Sequence, residues 1–191
     1  MNTQARLVII AGPNGAGKTT FIQNTYPSFI AEGAFLNADI FAQELNPDDV
    51  EQVALSASKK FLEILEHNLQ SKKTCIIETT LSGKSLLNKV LQAKKESFEI
   101  HLIFLWVTTP ELCDFRVKGR VASGGHNIPV DTIKRRYQRG LNNLSRYLDQ
   151  ANSFEIFQAD ETPLLICRNT PQGSLEIIDQ VLYRKFRETL A

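Results

Sequence analysis

The chain has almost no surplus of charge. Acids and bases are interspersed along its 191 residues, and the formal net charge is +1. Without a basic surplus there is no global electrostatic footprint for nucleic acid or an anionic membrane. Anion binding must then come from a local arrangement of cations. No platform of aromatic and basic residues suggests a nucleic-acid partner either. Cysteine is scarce: Cys75, Cys113 and Cys167 are odd in number and widely separated, which gives neither a disulfide framework nor metal-ligand spacing. Each falls in an expected buried element, where a free thiol behaves as a small hydrophobe. Long apolar runs are also missing. The longest, residues 100–107, carries His101 and is far too short to span a bilayer. The first six residues are polar and lead straight into an apolar strand, so no secretory signal is expected. Low-complexity segments and internal repeats are absent. A cytoplasmic location with no membrane partner follows as the expectation.

What is present is 42% apolar residues, enough for one sizeable core, and a regular alternation of elements. Strands are expected at residues 7–11, 34–37, 74–77, 99–107, 154–158 and 164–168. Helices are expected at about 17–24, 46–70, 84–95, from 110 onward, at 130–149 and at the C-terminal end. Strands alternating with helices argue for βαβ units in a mainly parallel sheet covered on both faces. The chain reads as one α/β domain, residues 1–191, with no linker long enough to divide it. Ligands of such sheets bind beyond the carboxyl ends of the strands. Gly12, Asp39, Glu78 and Thr108 all fall at those ends.

The first strand runs into Gly12-Pro13-Asn14-Gly15-Ala16-Gly17-Lys18-Thr19, a complete G-x-x-x-x-G-K-[ST] phosphate loop. Its glycines let successive N–H groups converge on phosphate oxygens, and the following helix adds the positive end of its dipole. The loop is expected to hold the phosphates of ATP or GTP. Lys18 would reach the β- and γ-phosphates, and the Thr19 hydroxyl would ligate Mg²⁺.

Phosphoryl transfer also needs an acceptor, an in-line nucleophile and stabilisation of charge. Asp39 could take the proton of an acceptor hydroxyl, or it could cap the next helix. Glu78 could orient a metal-bound water, contact a substrate hydroxyl, or simply end a strand. No aspartate of the usual Walker-B kind stands there. Thr79, Thr80 and Ser82 read as substrate-side or turn residues, and the pattern does not choose between the two roles. From Pro110, about 100° per residue puts Cys113, Arg116, Val117 and Arg120 on one helical stripe. In the next helix Ile133, Tyr137, Leu141, Leu144 and Leu148 form the apolar face, flanked by Arg136 and Asn143, with Arg135 and Arg139 further round. Arg136 is therefore the better ligand candidate of that helix. Between the two helices, Gly124-Gly125-His126-Asn127-Ile128-Pro129 reads as a hinged lid within a segment of about 110–150. His126 is either one of its ligands or an ordinary surface residue.

These residues resemble the zeta toxin family of P-loop kinases. The matching features are Gly12 through Lys18-Thr19-Thr20, Asn37-Ala38-Asp39, Ile77-Glu78-Thr79-Thr80, and Arg120 followed by Gly124-Gly125-His126-Asn127-Ile128-Pro129 and Arg135-Arg136-Tyr137. The resemblance implies an adenylate-kinase-like, mainly parallel five-stranded core of the P-loop NTPase class. It implies ATP as donor, Asp39 as base, Lys18 and Arg120 as phosphate stabilisers, and Glu78 with Thr80 near the acceptor. Members of the toxin type phosphorylate a sugar hydroxyl of UDP-N-acetylglucosamine and are blocked by an antitoxin protein. The large toxins are longer and carry a second lid arginine roughly where His126 stands here. By analogy with other P-loop kinases, adenine is expected near residues 158–163.

Other readings of the same loop are a transporter ATPase, a nucleotide, polynucleotide-end or metabolite kinase, and a regulatory nucleotide-binding module. The first fails on context. Leu81-Ser82-Gly83-Lys84 lacks the second glycine and the glutamine of the transporter signature, and no strand ending in Asp-Glu follows it.

Overall fold

Arg6–Ala11 forms β1, whose residues from Leu7 onward are buried. A strand apolar on both faces can be central only in a parallel sheet covered by helices, and β1 is central. The computed structural model describes residues 4–47, 49–122, 127–169 and 173–190. In chain order its elements continue as α1 (Lys18–Thr25), α2 (Pro27–Glu32), β2 (Ala34–Asn37), α3 (Ala38–Leu45), α4 (Val50–Gln70) and β3 (Cys75–Thr79). They are followed by α5 (Ser85–Lys95), β4 (Glu99–Trp106), α6 (Pro110–Ala122), α7 (Val130–Leu148), β5 (Ser153–Gln158), β6 (Leu164–Asn169), β7 (Leu175–Ile177) and α8 (Gln180–Glu188).

The sheet order is β2-β3-β1-β4-β5-β6-β7. The first five strands in that order are parallel, as expected. The sheet has seven strands rather than five, because β6 and β7 extend it in antiparallel fashion. The reason is local: the chain between Gln158 and Leu164 is too short for a parallel crossover, which needs a dozen or more residues. Strand β7 was not expected, since its half-exposed Leu-Glu-Ile carries little apolar signal.

Two helices were also unexpected. Pro27 at the first helical position starts α2. Asn37 caps α3, its Oδ1 accepting from the Asp39 N–H at 2.8 Å. Strand β3 begins later than expected and runs through Glu78 to Thr79, so Glu78 lies within the strand. Helix α4 starts at Val50 with Asp49 as its cap, while Asn46 accepts from the Asp49 N–H.

One main core gathers β1, β3, β4 and the inner faces of the covering helices. Of the segment expected as a lid, α7 packs Ile133, Tyr137, Leu141 and Leu144 into that core. The residues Gly124, Gly125 and His126 lie outside the described residues. All three cysteines are buried and free. Burial pushes the Cys113 thiol up to about 12 and the Cys75 and Cys167 thiols up to about 11. None is therefore a thiolate near neutrality.

Candidate functional site

Strands β1 and β3 pair side by side, with Ala11 opposite Thr79. This brings the loop after β1 against the end of β3, and the Gly12 N–H donates to Thr79 O at 3.2 Å. Gly15 has φ +80, and a Cβ there would lie 2.7 Å from the Cys113 carbonyl oxygen. Only glycine meets both demands. Gly17 precedes the first turn of α1, so the N-terminus of that helix opens toward the loop.

Lys18 is 7% exposed, and its Nζ donates to Pro13 O at 3.0 Å. The same Nζ lies 3.8 Å from Glu78 Oε1. The Thr19 hydroxyl donates to Glu78 Oε2 at 2.6 Å. One carboxylate thus answers both polar residues of the Lys-Thr pair. The sequence offered no Walker-B aspartate, and the pairing of β1 with β3 brings Glu78 against the loop. Asn14 is 5% exposed, and its Oδ1 has no hydrogen-bond partner, an arrangement that leaves room for a ligand contact.

Two clefts meet at this point. The first, of about 330 Å³, is lined by Asn14, Gly15, Gly17, Lys18, Thr19, Thr20, Arg116, Val117 and Arg120, with Asp39 and Glu78. The second, of about 220 Å³, is lined by Asn37, Asp39, Ser58, Phe61, Leu62, Glu78, Thr79, Thr80, Ser82, Leu86 and Arg136, together with Lys18. Lys18, Asp39 and Glu78 belong to both. Asp39 sits exposed in the first turn of α3. It is not the helix cap, since Asn37 has that role.

The expected site residues therefore divide by cleft. Asn14, Gly15, Gly17, Thr19, Thr20, Arg116 and Arg120 line the first alone, and Thr79, Thr80 and Arg136 the second alone. Gly12, Pro13 and Ala16 form the buried back of the loop. His126 lies outside the described residues. Thr79 serves its turn, its Oγ1 accepting from the Leu81 N–H at 3.1 Å, and the Thr80 and Ser82 hydroxyls bond each other at 2.8 Å.

Arg116 does something the sequence did not announce. Its guanidinium donates to Ala159 O at 2.6 Å, to Asp160 O, and weakly to Gly15 O at 3.4 Å. It ties the phosphate loop to the turn after β5. Asp160 in turn accepts from Thr108 N, Thr108 Oγ1 and Gln158 Nε2 at 2.9, 2.7 and 2.8 Å. The ends of β4 and β5 are thereby fixed together beside the loop. Sequence reading placed Thr108 and residues 158–163 at this end but missed the network. It also missed Ser58, Phe61, Leu62 and Leu86 of the second cleft. Residues on α4 and α5 carry no motif, and only the packing of those helices shows which face is turned inward.

The family model described as an AAA domain matches residues 7–142, from β1 into α7. A Haemophilus influenzae protein, itself uncharacterized, is 29% identical over 136 residues, covering 70% of this chain and 94% of its own. Among solved structures, a chain of the AvrRxo1-ORF1:AvrRxo1-ORF2 complex crystallised with ATP superposes with TM-score 0.77 at 17% identity. The match covers 97% of this chain and 64% of that one. A chain of the PezAT chromosomal toxin–antitoxin system of Streptococcus pneumoniae superposes with TM-score 0.66 at 18% identity, covering 98% of this chain and 85% of that one. These structural likenesses establish the α/β P-loop fold. The chain spans just under two thirds of the AvrRxo1 complex chain it matches.

Proposed function

We propose that this chain, which belongs to the AAA-domain family, is an ATP-dependent phosphotransferase that moves the γ-phosphate to a hydroxyl of a small molecule. The observation that carries the proposal is the junction of the two clefts at Lys18, Asp39 and Glu78. A donor cleft and an acceptor cleft that share one cation and two carboxylates suit the transfer of a phosphoryl group from one to the other.

In this reading the donor lies along the phosphate loop, its β- and γ-phosphates on the backbone N–H groups and on Lys18. Arg120 supplies further positive charge on that side, and Arg116 holds the loop's far wall. The adenine lies toward residues 158–163. The acceptor hydroxyl attacks the γ-phosphorus, the bond between that phosphorus and the β–γ bridging oxygen breaks, and ADP leaves. Asp39 accepts the hydroxyl proton. Thr19 Oγ1, backed by Glu78, offers the oxygen ligand that a hard cation prefers. Mg²⁺ held there by Thr19 would neutralise charge on the phosphates. Among the described residues no cluster of three or more His, Cys, Asp or Glu could hold a metal ion by itself. That suits a cation whose remaining ligands are phosphates and water.

A nucleotide sugar such as UDP-N-acetylglucosamine is the first acceptor to examine, and an antitoxin protein is the partner to seek. The toxin–antitoxin origin of one structural neighbour and the zeta toxin resemblance support both. No helix among the described residues is long and apolar enough to cross a membrane.

The deciding experiment incubates the protein with Mg-ATP and a panel of UDP-sugars, nucleotides and small metabolites, read by mass spectrometry, with Asp39→Asn alongside. A phosphorylated product that disappears in Asp39→Asn supports the reading. Transfer that continues at full rate in Asp39→Asn removes Asp39 as base. ATP binding with no transfer to any acceptor would instead favour a regulatory nucleotide-binding module.

A further inference from the structure

Arg136 differs from the other arginines of the site. It lies on the inner side of α7, next to Tyr137, whose hydroxyl is anchored to Val107 O and Thr108 O at 2.9 and 3.1 Å. It is partly buried, and it lines the acceptor cleft and two small cavities beside it, but not the donor cleft. Arg116 and Arg120 show the opposite distribution. Among the described residues Arg136 makes no hydrogen bond and no ion pair. A partly buried guanidinium without a partner is costly to hold, and its planar fork of donors matches a carboxylate or phosphate. Away from Lys18, Asp39 and Glu78, where the two clefts meet, the same cleft is lined by apolar Phe61, Leu62 and Leu86 and by the hydroxyls of Ser58 and Ser82.

We infer that Arg136 is the anion anchor of the acceptor cleft, and that the acceptor is a hydroxylated small molecule carrying a phosphate or carboxylate away from the hydroxyl that reacts. The anion sits on Arg136, the carbon skeleton lies on the apolar wall, and the reacting hydroxyl is left toward Asp39. This rests on the phosphotransferase reading for the name acceptor, but the anion site stands on its own geometry. Arg136 selects the substrate and is not asked to stabilise the transferring phosphoryl group, because it faces the other cleft.

The test is calorimetric titration of the full chain, with Mg²⁺ and a non-hydrolysable ATP analogue present, against matched compounds. Glucose is compared with glucuronate and glucose 6-phosphate, and N-acetylglucosamine with UDP-N-acetylglucosamine. The glucuronate and phosphate arms distinguish the two sources of the anion. A charge-assisted bond of this kind corresponds to about ten- to one-hundred-fold in affinity. At least one anionic member is expected to bind that much more tightly than its neutral counterpart. Arg136→Gln should abolish the difference, Arg136→Lys should restore part of it, and Arg135→Gln, on the exposed side of the helix, should keep it. Thermal melts report whether each variant is folded. The inference fails if no anionic member binds, if neutral and anionic members bind equally, or if the preference survives in Arg136→Gln. It fails too if Arg136→Gln weakens the ATP analogue as much as the anion, which would move Arg136 to the donor side. An Arg136-dependent anion preference without any phosphate transfer would keep the anchor and sink the phosphotransferase reading. Transfer to neutral acceptors that is indifferent to Arg136 would do the reverse.

Discussion

The hydroxyl of Thr19 and the carboxylate of Glu78 meet at 2.6 Å, joining the first turn of α1 to β3 across 59 residues of chain. A hydrogen bond to an ionised carboxylate is shorter and stronger than a neutral one. Here it also fixes the rotamer of the side chain proposed to ligate Mg²⁺. Outer partners of metal ligands typically govern affinity by ten- to a hundredfold.

Glu78→Gln keeps an acceptor for Thr19 but removes the charge. The Mg²⁺ concentration needed for half-maximal phosphate transfer is expected to rise about tenfold or more, with the protein still folded. An assay titrating Mg²⁺ at fixed ATP checks this. An unchanged Mg²⁺ requirement would detach Glu78 from the metal.

Helix α7 approaches the β3–α5 connection so closely that a Cβ on Gly140 would stand 2.5 Å from Thr80 O. Asn143 Nδ2 donates to Leu81 O at 2.8 Å in the same place, and Leu81 holds φ 57, a conformation disfavoured for a side chain of its kind. Gly140→Ala is expected to destabilise the protein by about 1–3 kcal/mol and to weaken acceptor binding, since Thr80 and Ser82 must shift. Urea denaturation reads the first effect, and acceptor KM against kcat reads the second. A variant with the wild-type midpoint would show that the contact relaxes without cost.

Arg116 spans three carbonyl oxygens with one planar fork, which a lysine cannot do. Arg116→Lys should cost about 1–3 kcal/mol of stability and loosen the turn after β5. Weaker binding of a fluorescent ADP analogue is the functional consequence. If stability falls while ADP affinity holds, Arg116 is a brace of the fold only.

Far from the clefts, Glu155 accepts from Tyr26 OH at 2.8 Å and faces His101 Nε2 at 3.4 Å. Burial alone would raise its pKa, but hydrogen bonding from His101 and Tyr26, with the charges of His101 and Arg168, outweighs burial and holds it below the ordinary 4.5. A depressed carboxylate contributes stability above its unfolded pKa and loses it as pH falls through the folded value. Glu155→Gln should therefore be destabilising at pH 7 and less so below about pH 4, so that the two stability curves converge in acid. Denaturation midpoints across pH 3–7 test the sign, and a constant gap between the curves would refute it.

Thr19 and Glu78 also mark where sequence reading stopped. The loop from Gly12 to Thr19, the alternation of strands and helices, and the placing of Asp39 and Glu78 near the carboxyl ends of β2 and β3 were legible, although Asp39 proved to start α3 and Glu78 to lie inside β3. Each depends on contiguous residues whose backbone preferences and apolar period are local. The apolar face of α7, and with it the inward placement of Arg136, was legible for the same reason, because helical periodicity fixes which residues share a stripe. Strands β6 and β7 were harder, since a short half-exposed edge strand gives a weak pattern and its direction depends on its neighbour.

Only the tertiary structure decided how these pieces face one another. Glu78 answers Thr19 because β3 lies beside β1, and strand order is not written in either strand. Arg116 grips Ala159 and Asp160 instead of standing free, because the fold sets its side chain against the turn after β5. Phe61 and Leu62 line the second cleft because α4 turns that face inward, and a helix without a motif gives no sign of which cleft that face will meet. By itself the sequence determined that a phosphate-binding loop opens a mainly parallel α/β fold. The pairing of distant elements, set by where each apolar surface finds its partner, decided that two clefts meet at Lys18, Asp39 and Glu78.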